Sequence, residues 1–275
     1  MKRSGIKELK TIANILRQDI ITTLNTAGSG HTGGSLGMTD IFAALYFNIL
    51  NHIPHQPDNP NRDRLILSNG HICPILYASL ARAGYFPLVK LKTLRKINSQ
   101  LQGHPHAGSL PGVETSSGPL GQGISQAVGM ALAAKMDKKH HHIFCITSDG
   151  EHNEGQVWEA AMLANKYKLG NLINIIDRNN IQIDGYTKDI MPLAPLKDKY
   201  ITFGWKVFVI NGHNMKQIVA TLNKAKAFTK KPVVVIAETI LGKGVSFMEN
   251  KYPWHGIAPN EIETKKALAE LRNGK

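Results

Sequence analysis

Apolar residues recur along the chain with two different periods, and the period indicates which segments are helices and which are strands. Between Ile6 and Thr26 the apolar residues recur at helical spacing, which predicts an amphipathic helix. Short continuous runs rich in β-branched residues predict buried strands instead. These runs are RLILS, HIFCIT, NLINIID, WKVFVIN and PVVVIAETI.

Helical patterns alternate with these runs over the second half of the chain. The segment EGQVWEAAMLANKYK follows HIFCIT, and MKQIVATLNKAKAF lies between the last two runs. Buried strands that alternate with helices are typical of a parallel sheet covered on both faces. We therefore predict an α/β fold, a doubly wound, mostly parallel sheet with helices on both faces. No internal repeat or low-complexity linker divides the chain, so we expect one domain over residues 1–275.

Glycine-rich and proline-rich segments interrupt the first half of the chain. The first predicted helix ends in AGSGHTGGS, and a second helix is predicted from Thr39, which we take as its N-cap. A third helix is predicted over GHICPILYASLARAG, because Pro74 falls in the first turn, where proline is tolerated. The segment GHPHAGSLPGVETSSGPLGQG is long and irregular, and a loop of this length inside a domain is often functional.

Composition and charge exclude some classes of protein. No apolar run approaches the roughly 20 residues that a membrane span needs, and the amino end lacks the apolar block of a signal peptide. We therefore expect a cytoplasmic protein that does not bind membranes. The net charge of +13 is spread over scattered lysines, so we favour a solvated basic surface over nucleic-acid binding. Cys73 and Cys145 lie in apolar segments, which indicates buried free thiols.

Polar residues follow two of the predicted strands at the points where these strands end. Asp149 comes after HIFCIT, and Asn179 follows NLINIID. In parallel sheets, ligands bind beyond the carboxyl ends of the strands, and a right-handed crossover brings neighbouring strand ends to the same edge. If these two strands are neighbours, Asp149 and Asn179 can share a ligand.

Two features of these strand ends favour a metal-bound diphosphate. Carboxylate, amide and backbone carbonyl oxygens suit a hard divalent cation such as Mg²⁺ or Ca²⁺. Gly150 would let backbone amides approach a phosphate, and the helix that starts near Glu154 would point its positive end towards it. The ordinary structural alternative is that Asp149 caps the following helix and that Asn179 and Asn180 form a turn.

Several segments together resemble the transketolase family. SDGEHNEGQVWEA and DRNNIQIDG are similar to its thiamine diphosphate and metal motif, a G-D-G followed after a helix by N. Ser148 stands in place of the first glycine, and Arg178 beside Asn179 is a further local variation. The similarity extends in the same order over nearly the whole chain. Its other blocks are SGHTGGS, NRDRLILSNGH, GHPHAGSLPGVETSSGPLGQGISQAVGMA and KGVSFMENKYPWHG.

The resemblance implies thiamine diphosphate and Mg²⁺ as cofactors, with Ca²⁺ or Mn²⁺ as substitutes for the metal. It implies that catalytic histidines hydrogen-bond the developing alkoxide and assist proton transfer, since imidazole titrates near neutral pH. The implied metal ligands are Asp149, Asn179 and the backbone carbonyl of Ile181. The residues it places at the cofactor are His71, Gly118, Leu120, Gly150, Glu154, Asn179, Ile183 and His255, and the catalytic histidines are His31, His104 and His255.

The resemblance covers only the diphosphate-binding half of the family's catalytic unit. In the family, the glutamate that activates the aminopyrimidine of the cofactor lies on a second domain, and no second parallel sheet is predicted after the KYPWHG block. We therefore expect a separately encoded C-terminal subunit that completes the active site, self-association, and two copies of each subunit. The implied reaction transfers a two-carbon ketol unit from a ketose phosphate to an aldose phosphate.

Alternative functions stay open at this point. A deoxyxylulose phosphate synthase, an oxoacid dehydrogenase component or a transketolase for unusual sugars would share the metal motif. A nicotinamide dehydrogenase would need G-x-G-x-x-G between a strand and a helix, whereas GSGHTGG follows a helix. A cofactor-binding subunit without turnover differs from an enzyme in the activity of the reconstituted pair.

Overall fold

Five parallel strands form the central sheet of the computed structural model, which describes residues 3–273; residues 1–2 and 274–275 of the predicted domain lie outside the described residues. The strands are β1 (Arg64–Leu67), β2 (Ile143–Ser148), β3 (Leu172–Arg178), β4 (Ile181–Gln182), β5 (Gly185–Tyr186), β6 (Lys206–Asn211) and β7 (Val233–Glu238). Strands β4 and β5 form a separate antiparallel hairpin. The order across the sheet is β1, β2, β3, β7, β6, so β2 and β3 are neighbours near its centre.

Helices cover both faces of this sheet. The helices are α1 (Ile6–Ala27), α2 (Thr32–Gly37), α3 (Thr39–Ala44), α4 (Cys73–Ala83), α5 (Gln122–Met136), α6 (Gly155–Lys166), α7 (Thr187–Ile190), α8 (Leu196–Thr202), α9 (Met215–Ala227) and α10 (Glu261–Arg272). Short 3₁₀ turns occupy Gly70–Ile72, Leu88–Thr93, Gly150–Asn153 and Tyr252–His255, and a π-helical turn occupies Leu45–Ile49. None of the described helices combines the length and the hydrophobicity that a membrane span requires.

Successive side chains of the central strands point to opposite faces and build two hydrophobic cores. In β2, Phe144 and Ile146 pack into the core that α1, α3, α4 and α9 cover. Ile143 and Cys145 pack into the second core, beneath α5, α6 and α8. All of β2 is buried, as expected for a strand that is covered on both faces. The chemistry of the sheet is therefore confined to the ends of its strands.

The predicted fold class is confirmed, because the large sheet is parallel throughout and has helices on both faces. The predicted helix at Ile6–Thr26 corresponds to α1, and Pro74 lies in the first turn of α4 as expected. Cys73 and Cys145 are buried free thiols, which confirms that prediction.

The first helix ends in the glycine-rich segment AGSGHTGGS as predicted, and the second half of this segment begins α2, a helix that the sequence analysis did not predict. The glycines there serve close packing: a Cβ on Gly33 would lie 2.5 Å from the side chain of Leu241, and one on Gly37 would lie 3.0 Å from the carbonyl oxygen of Ile240. The N-cap of α3 is Met38 and not Thr39, whose hydroxyl donates instead to the carbonyl oxygen of Leu36 at 2.8 Å.

Two glycine-to-alanine changes should have opposite effects on stability. Gly170 joins α6 to β3, and a Cβ there would lie 1.9 Å from the backbone oxygen of Thr229. Because backbone must move to relieve that contact, Gly170→Ala should lower the free energy of unfolding by about 2 kcal/mol or more. Gly129, exposed inside α5 with nothing within 4 Å of a Cβ, is the matched control. Gly129→Ala should raise the free energy of unfolding by roughly 0.5–1 kcal/mol. Urea unfolding measures both changes, and a neutral Gly170→Ala would contradict this packing.

Candidate active site

The ends of β2 and β3 bring two polar segments to one edge of the sheet. The two strands are paired in register, with Ser148 opposite Asp177. The backbone amide of Asp149 donates to the carbonyl oxygen of Asp177 at 3.2 Å, so the pairing continues one residue beyond β2. Asp149 and Asn179 therefore follow adjacent strand ends, as the sequence predicted for neighbouring strands.

The Asp149 carboxylate is fully buried and already has three hydrogen-bond donors. Its Oδ1 accepts from the amide of Gly150 at 2.8 Å, and its Oδ2 accepts from the amide of Asn180 at 2.6 Å and from Arg178 Nη1 at 3.2 Å. Burial raises the pKa of Asp149 to about 6, although the Arg178 charge and these hydrogen bonds oppose the rise. Because an ionised carboxylate offers about four acceptor positions, one remains for a further ligand.

The orientation of the Asn179 amide is fixed by the residues on either side of it. Asn179 Nδ2 donates to Asp177 Oδ2 at 2.9 Å, and Asn179 Oδ1 accepts from the amide of Ile181 at 2.9 Å. The other carboxylate oxygen of Asp177 accepts from the Thr239 hydroxyl. Asn180 adopts a left-handed conformation with φ of 63°, which asparagine tolerates. The ordinary structural alternative is therefore observed as well, because these residues form a turn and Asp149 caps the 3₁₀ turn that follows it.

A cavity of about 370 Å³ opens at this edge of the sheet. Its walls come from six separate parts of the chain, namely the start of α2, the Gly70–Ile72 turn, the long loop before α5, the β2 end, the β3–β5 region and the Tyr252–His255 turn. The predicted site residues that line it are His31, His71, His104, Gly118, Leu120, Gly150, Asn179, Ile181, Ile183 and His255. Asp149 and Glu154 do not line it: Asp149 lies beneath the wall, and Glu154 is exposed at the N-cap of α6.

Four histidines form one cluster in this cavity. The ring centroid of His31 lies 5.0 Å from that of His71, 5.6 Å from that of His255 and 6.5 Å from that of His104. His71 and His255 are 5.2 Å apart. His52 lies elsewhere, buried with hydrogen bonds to Tyr46 and Tyr85.

Burial and mutual repulsion keep the clustered imidazoles neutral. Desolvation, with smaller contributions from His255, Arg95 and His104, lowers the pKa of His31 to about 4. Desolvation also lowers the pKa of His71, His104 and His255. The expectation that these rings titrate near neutral pH is therefore wrong for His31. At pH 7 its ring donates and accepts hydrogen bonds without carrying charge, and it is a weak proton acceptor.

The cavity has the unsatisfied polar atoms that a bound cofactor would need. The Nδ1 atoms of His31 and His255 are buried without a hydrogen-bond partner, and so is the hydroxyl of Ser117 beside the cavity. Unpaired buried polar atoms are rare in folded proteins unless a ligand or water satisfies them. A Cβ on Gly118 would meet nothing within 4 Å, which leaves open space beside the loop. These residues fit a polar cofactor, and the carboxylate, amide and carbonyl oxygens of Asp149, Asn179 and Ile181 are a donor set suited to Mg²⁺.

A larger hollow of about 600 Å³ lies at the opposite edge of the sheet, among Lys138–His142, Asp63 and Lys226. It lies next to the amino end of β2, and most of the connector 138–142 is exposed. Its one carboxylate, Asp63, is already bonded to Lys226 Nζ at 2.8 Å. Because ligands of parallel sheets bind at the carboxyl ends of the strands, the smaller histidine-lined cavity is the stronger candidate.

Sequence reasoning assigned no role to two buried carboxylates at this edge, Asp177 and Glu151. Glu151 lies in the 3₁₀ turn Gly150–Asn153, is fully buried and contributes to the cavity wall. It belongs to the same acidic segment as Asp149 and Glu154, but spacing alone does not show which member of the segment points inwards. An acidic residue directly after a buried strand and a glycine was the available signal.

Comparison with known proteins identifies relatives over nearly the whole chain. The sequence model of the family described as "Transketolase, thiamine diphosphate binding domain" matches residues 8–272. The 6-deoxy-6-sulfo-D-fructose transketolase subunit SqwG of Clostridium sp. (strain MSTE9) is 46% identical over 264 residues, which cover 96% of this chain and 96% of that protein. One of the apulose-4-phosphate transketolase subunits, from Phocaeicola vulgatus, is 40% identical, over 93% of this chain and 90% of that protein.

Solved structures of longer proteins share the fold. The transketolase of Campylobacter jejuni superposes with a TM-score of 0.92 at 37% identity. The match covers 98% of this chain but only 43% of the Campylobacter chain. The chain thus spans most of the two relatives that are named as subunits and less than half of a full-length transketolase.

The neutral state of His31 can be measured directly. In a histidine-labelled NMR titration, the His31 ring, assigned by the loss of its signal in His31→Gln, should titrate near pH 4, because its protonated form is desolvated. Arg95→Gln should raise this pKa, since it removes one nearby positive charge. Lys139→Gln, at the opposite edge of the sheet, is the matched charge control and should leave the pKa unchanged. A His31 pKa at or above 6 would contradict the assignment.

Proposed function

Because the chain belongs to the family of transketolase thiamine diphosphate-binding domains, we propose that it is the N-terminal, diphosphate-binding subunit of a two-subunit transketolase. The single observation that carries the proposal is the convergence of four histidines, two glycine-containing loops and Asn179 on one cavity at the ends of β2 and β3. The reaction is the transfer of a two-carbon ketol unit from a ketose phosphate to an aldose phosphate.

Thiamine diphosphate and Mg²⁺ are the cofactors we assign to this cavity. When bound, thiamine diphosphate would supply the carbanion chemistry that ketol transfer requires and that side chains lack. Asp149, Asn179 and the carbonyl of Ile181 would hold the metal, with Ca²⁺ or Mn²⁺ as substitutes. The residues assigned to the cofactor are His71, Gly118, Leu120, Gly150, Asn179, Ile183 and His255, with Glu154 behind the loop.

The histidines have a positioning task in this proposal. Because the pKa of His31 is low, its neutral ring donates a hydrogen bond to a sugar oxygen without bringing charge into the cavity. His104 is more exposed than His31 and lines the same cavity, so an incoming sugar can reach it. His255 ends the short turn Tyr252–His255 and lies 5.6 Å from His31 between ring centroids, so we assign it contacts with both the cofactor and the substrate. We assign His31, His104 and His255 to contact with the substrate oxygens, and the low pKa of His31 gives that residue hydrogen bonding in place of proton removal.

Exposed apolar side chains next to the cavity are evidence for a partner subunit that covers it. Ile183 is 63% exposed, Tyr186 40%, Tyr252 43% and Ile257 52%, although all are apolar or aromatic. Exposed apolar groups around a cleft are typical of protein interfaces. We propose that a separately encoded C-terminal transketolase subunit binds here, and that the complex self-associates to two copies of each subunit. Cytoplasmic location and the absence of nucleic-acid or membrane partners stay predictions from composition.

The proposed function leaves the identity of the donor and acceptor sugars open. The two relatives that are subunits are named for 6-deoxy-6-sulfo-D-fructose and for apulose-4-phosphate, which differ in chemistry. A transketolase for an unusual sugar is therefore as well supported as one for common sugar phosphates. A substrate panel should include both named donors and several ketose phosphates.

Reconstitution tests the function. Ketol transfer should require this chain, the product of the adjacent gene that encodes a pyrimidine-binding half, thiamine diphosphate and Mg²⁺ together. Each polypeptide alone should give less than about 1% of the rate of the pair, because removing catalytic groups that act as a unit costs orders of magnitude. Turnover by the isolated chain would refute the split arrangement, and cofactor binding without turnover on any donor would favour a non-catalytic subunit.

Asp149→Asn tests the metal site. In the assembled pair, the variant should bind Mg²⁺ with thiamine diphosphate on the order of a hundredfold more weakly at pH 8, because a charged ligand is lost. The pKa of Asp149 is raised to about 6, so the wild-type carboxylate becomes protonated as the pH falls through 6. The difference in Mg²⁺ affinity between wild type and variant should therefore become smaller towards pH 5.

Calorimetry at pH 5–8 measures this difference. Asp189→Asn, an exposed carboxylate of α7, is the control and should bind as tightly as wild type. A difference that is absent at pH 8 would remove Asp149 from the metal site.

A further inference from the structure

The one carboxylate of the acidic segment that sequence reasoning left without a role is bonded on all sides. Glu151 Oε1 accepts from the backbone amide of Gly121 at 2.6 Å and from the Ser68 hydroxyl, and its Oε2 accepts from the amide of Ser148 at 3.1 Å. A buried charge is costly unless donors of this kind surround it. The chain has thus placed a fully desolvated carboxylate against one particular loop amide.

Ser68 extends the same contact to a second amide. It is fully buried at the end of β1, and its Oγ donates to Glu151 and accepts from the amide of Gly123 at 3.0 Å. A Cβ on Gly123 would lie 2.5 Å from the Ser68 Cβ, so the backbone approaches Ser68 closely. The hydroxyl and the carboxylate together hold both amides at the start of α5.

These contacts replace the cap that α5 lacks. Its N-cap residue is Gly121, which has no side chain, and no side-chain cap hydrogen bond comes from within the helix. Unsatisfied amides and the positive end of the helix dipole favour an anion at this position. Glu151 supplies that anion from the end of β2, so the loop before α5 is anchored to the same strand that carries Asp149.

The anchored loop forms one wall of the cavity. Gly118 and Leu120 line the cavity, and the Leu120 carbonyl accepts from Gln156 Nε2 at 2.8 Å. Gly121 has φ of 80°, and a Cβ there would lie 2.9 Å from the side chains of Glu154 and Gln156. The loop is therefore fixed by Glu151 and Ser68 on one side and by the first turn of α6 on the other.

We propose that Glu151, with Ser68, is a positioning residue that holds the segment 118–123 in the conformation that cofactor binding requires. The proposal rests on the proposed function, since thiamine diphosphate is the cofactor in question. If Glu151 had a purely structural role, its substitution would lower the free energy of unfolding without changing the local order of this loop in the folded protein. The two roles differ in what hydrogen exchange and cofactor affinity report.

Asp63 is the matched control for this comparison. It is also a buried carboxylate, 4% exposed, and it accepts from the amides of Asn51 and His142, each at 2.8 Å, and from Lys226. It lies at the opposite edge of the sheet, beside the start of β2. Asp63→Asn should thus cost stability by the same mechanism as Glu151→Gln, but far from the cavity.

Hydrogen exchange of the full chain tests the loop itself. In Glu151→Gln, the side chain loses its charge and keeps a single acceptor oxygen for the Gly121 and Ser148 amides, and the contact that orients Ser68 weakens; the amides of Gly121 and Gly123 should therefore exchange about tenfold faster or more. The amides of β2 and β3 should keep their protection. Ser68→Ala is a smaller change that should accelerate Gly123 even if Glu151→Gln folds poorly. Protection of 118–123 that is the same in Glu151→Gln, Ser68→Ala and Asp63→Asn would overturn the proposal.

Cofactor affinity of the assembled pair tests the consequence. Glu151→Gln should raise the Kd for thiamine diphosphate about tenfold, while kcat at saturating cofactor stays within about twofold of wild type, because the ordering of the loop precedes chemistry. Asp63→Asn should leave the Kd unchanged. Faster exchange with an unchanged Kd would also overturn the proposal. If the wild-type pair binds no thiamine diphosphate, the proposed function fails, and the hydrogen-exchange result alone still decides whether Glu151 orders the loop.

Discussion

The pairing of β2 with β3 is the constraint on which the rest of the site depends. Ser148 lies opposite Asp177, and the ladder continues through the amide of Asp149 to the carbonyl of Asp177. Because side chains along a strand alternate between faces, a register shift of one residue would move every side chain, including those at the polar strand ends, to the opposite face of the sheet. The apolar runs of both strands are buried on both faces and end at the same level of the sheet, which places Asp149 and Asn179 at one edge.

Burying this many polar groups at one edge requires that each charge have a partner. Asp149 has Arg178, Glu151 has two backbone amides and a serine, and Asp177 has Thr239 and Asn179. Desolvation still raises the pKa of Asp177 to about 7 and that of Asp149 to about 6. Ionisation of the carboxylates at this edge is therefore unfavourable, and a bound cation would stabilise their ionised forms.

Sequence patterns predicted the fold class well, because long apolar runs separated by helical periods have few alternatives. The strand ends could also be predicted, since position along a parallel strand determines the edge. The roles of individual residues could not be predicted in the same way. The short helix α2, which begins within AGSGHTGGS, was not predicted, because its glycines pack closely against Leu241, a residue distant in the chain. Likewise, nothing in the segment SDGEHNE distinguishes inward-pointing Glu151 from exposed Glu154, because the 3₁₀ turn that separates them depends on Ser68 and Gly121.

The histidine cluster shows what the side chains of this cavity can do by themselves. A ring with a pKa near 4 carries no charge at pH 7 and accepts a proton poorly, so His31 suits the holding of hydroxyl groups better than the removal of protons. His71 and His255 approach it within 5.0 and 5.6 Å, and protonation of one ring would raise the cost of protonating the next. A cluster of this kind provides hydrogen bonds at fixed positions, and the strong base must come from elsewhere. Under the proposed function, the remaining catalytic groups would therefore lie on the cofactor and on the proposed second subunit.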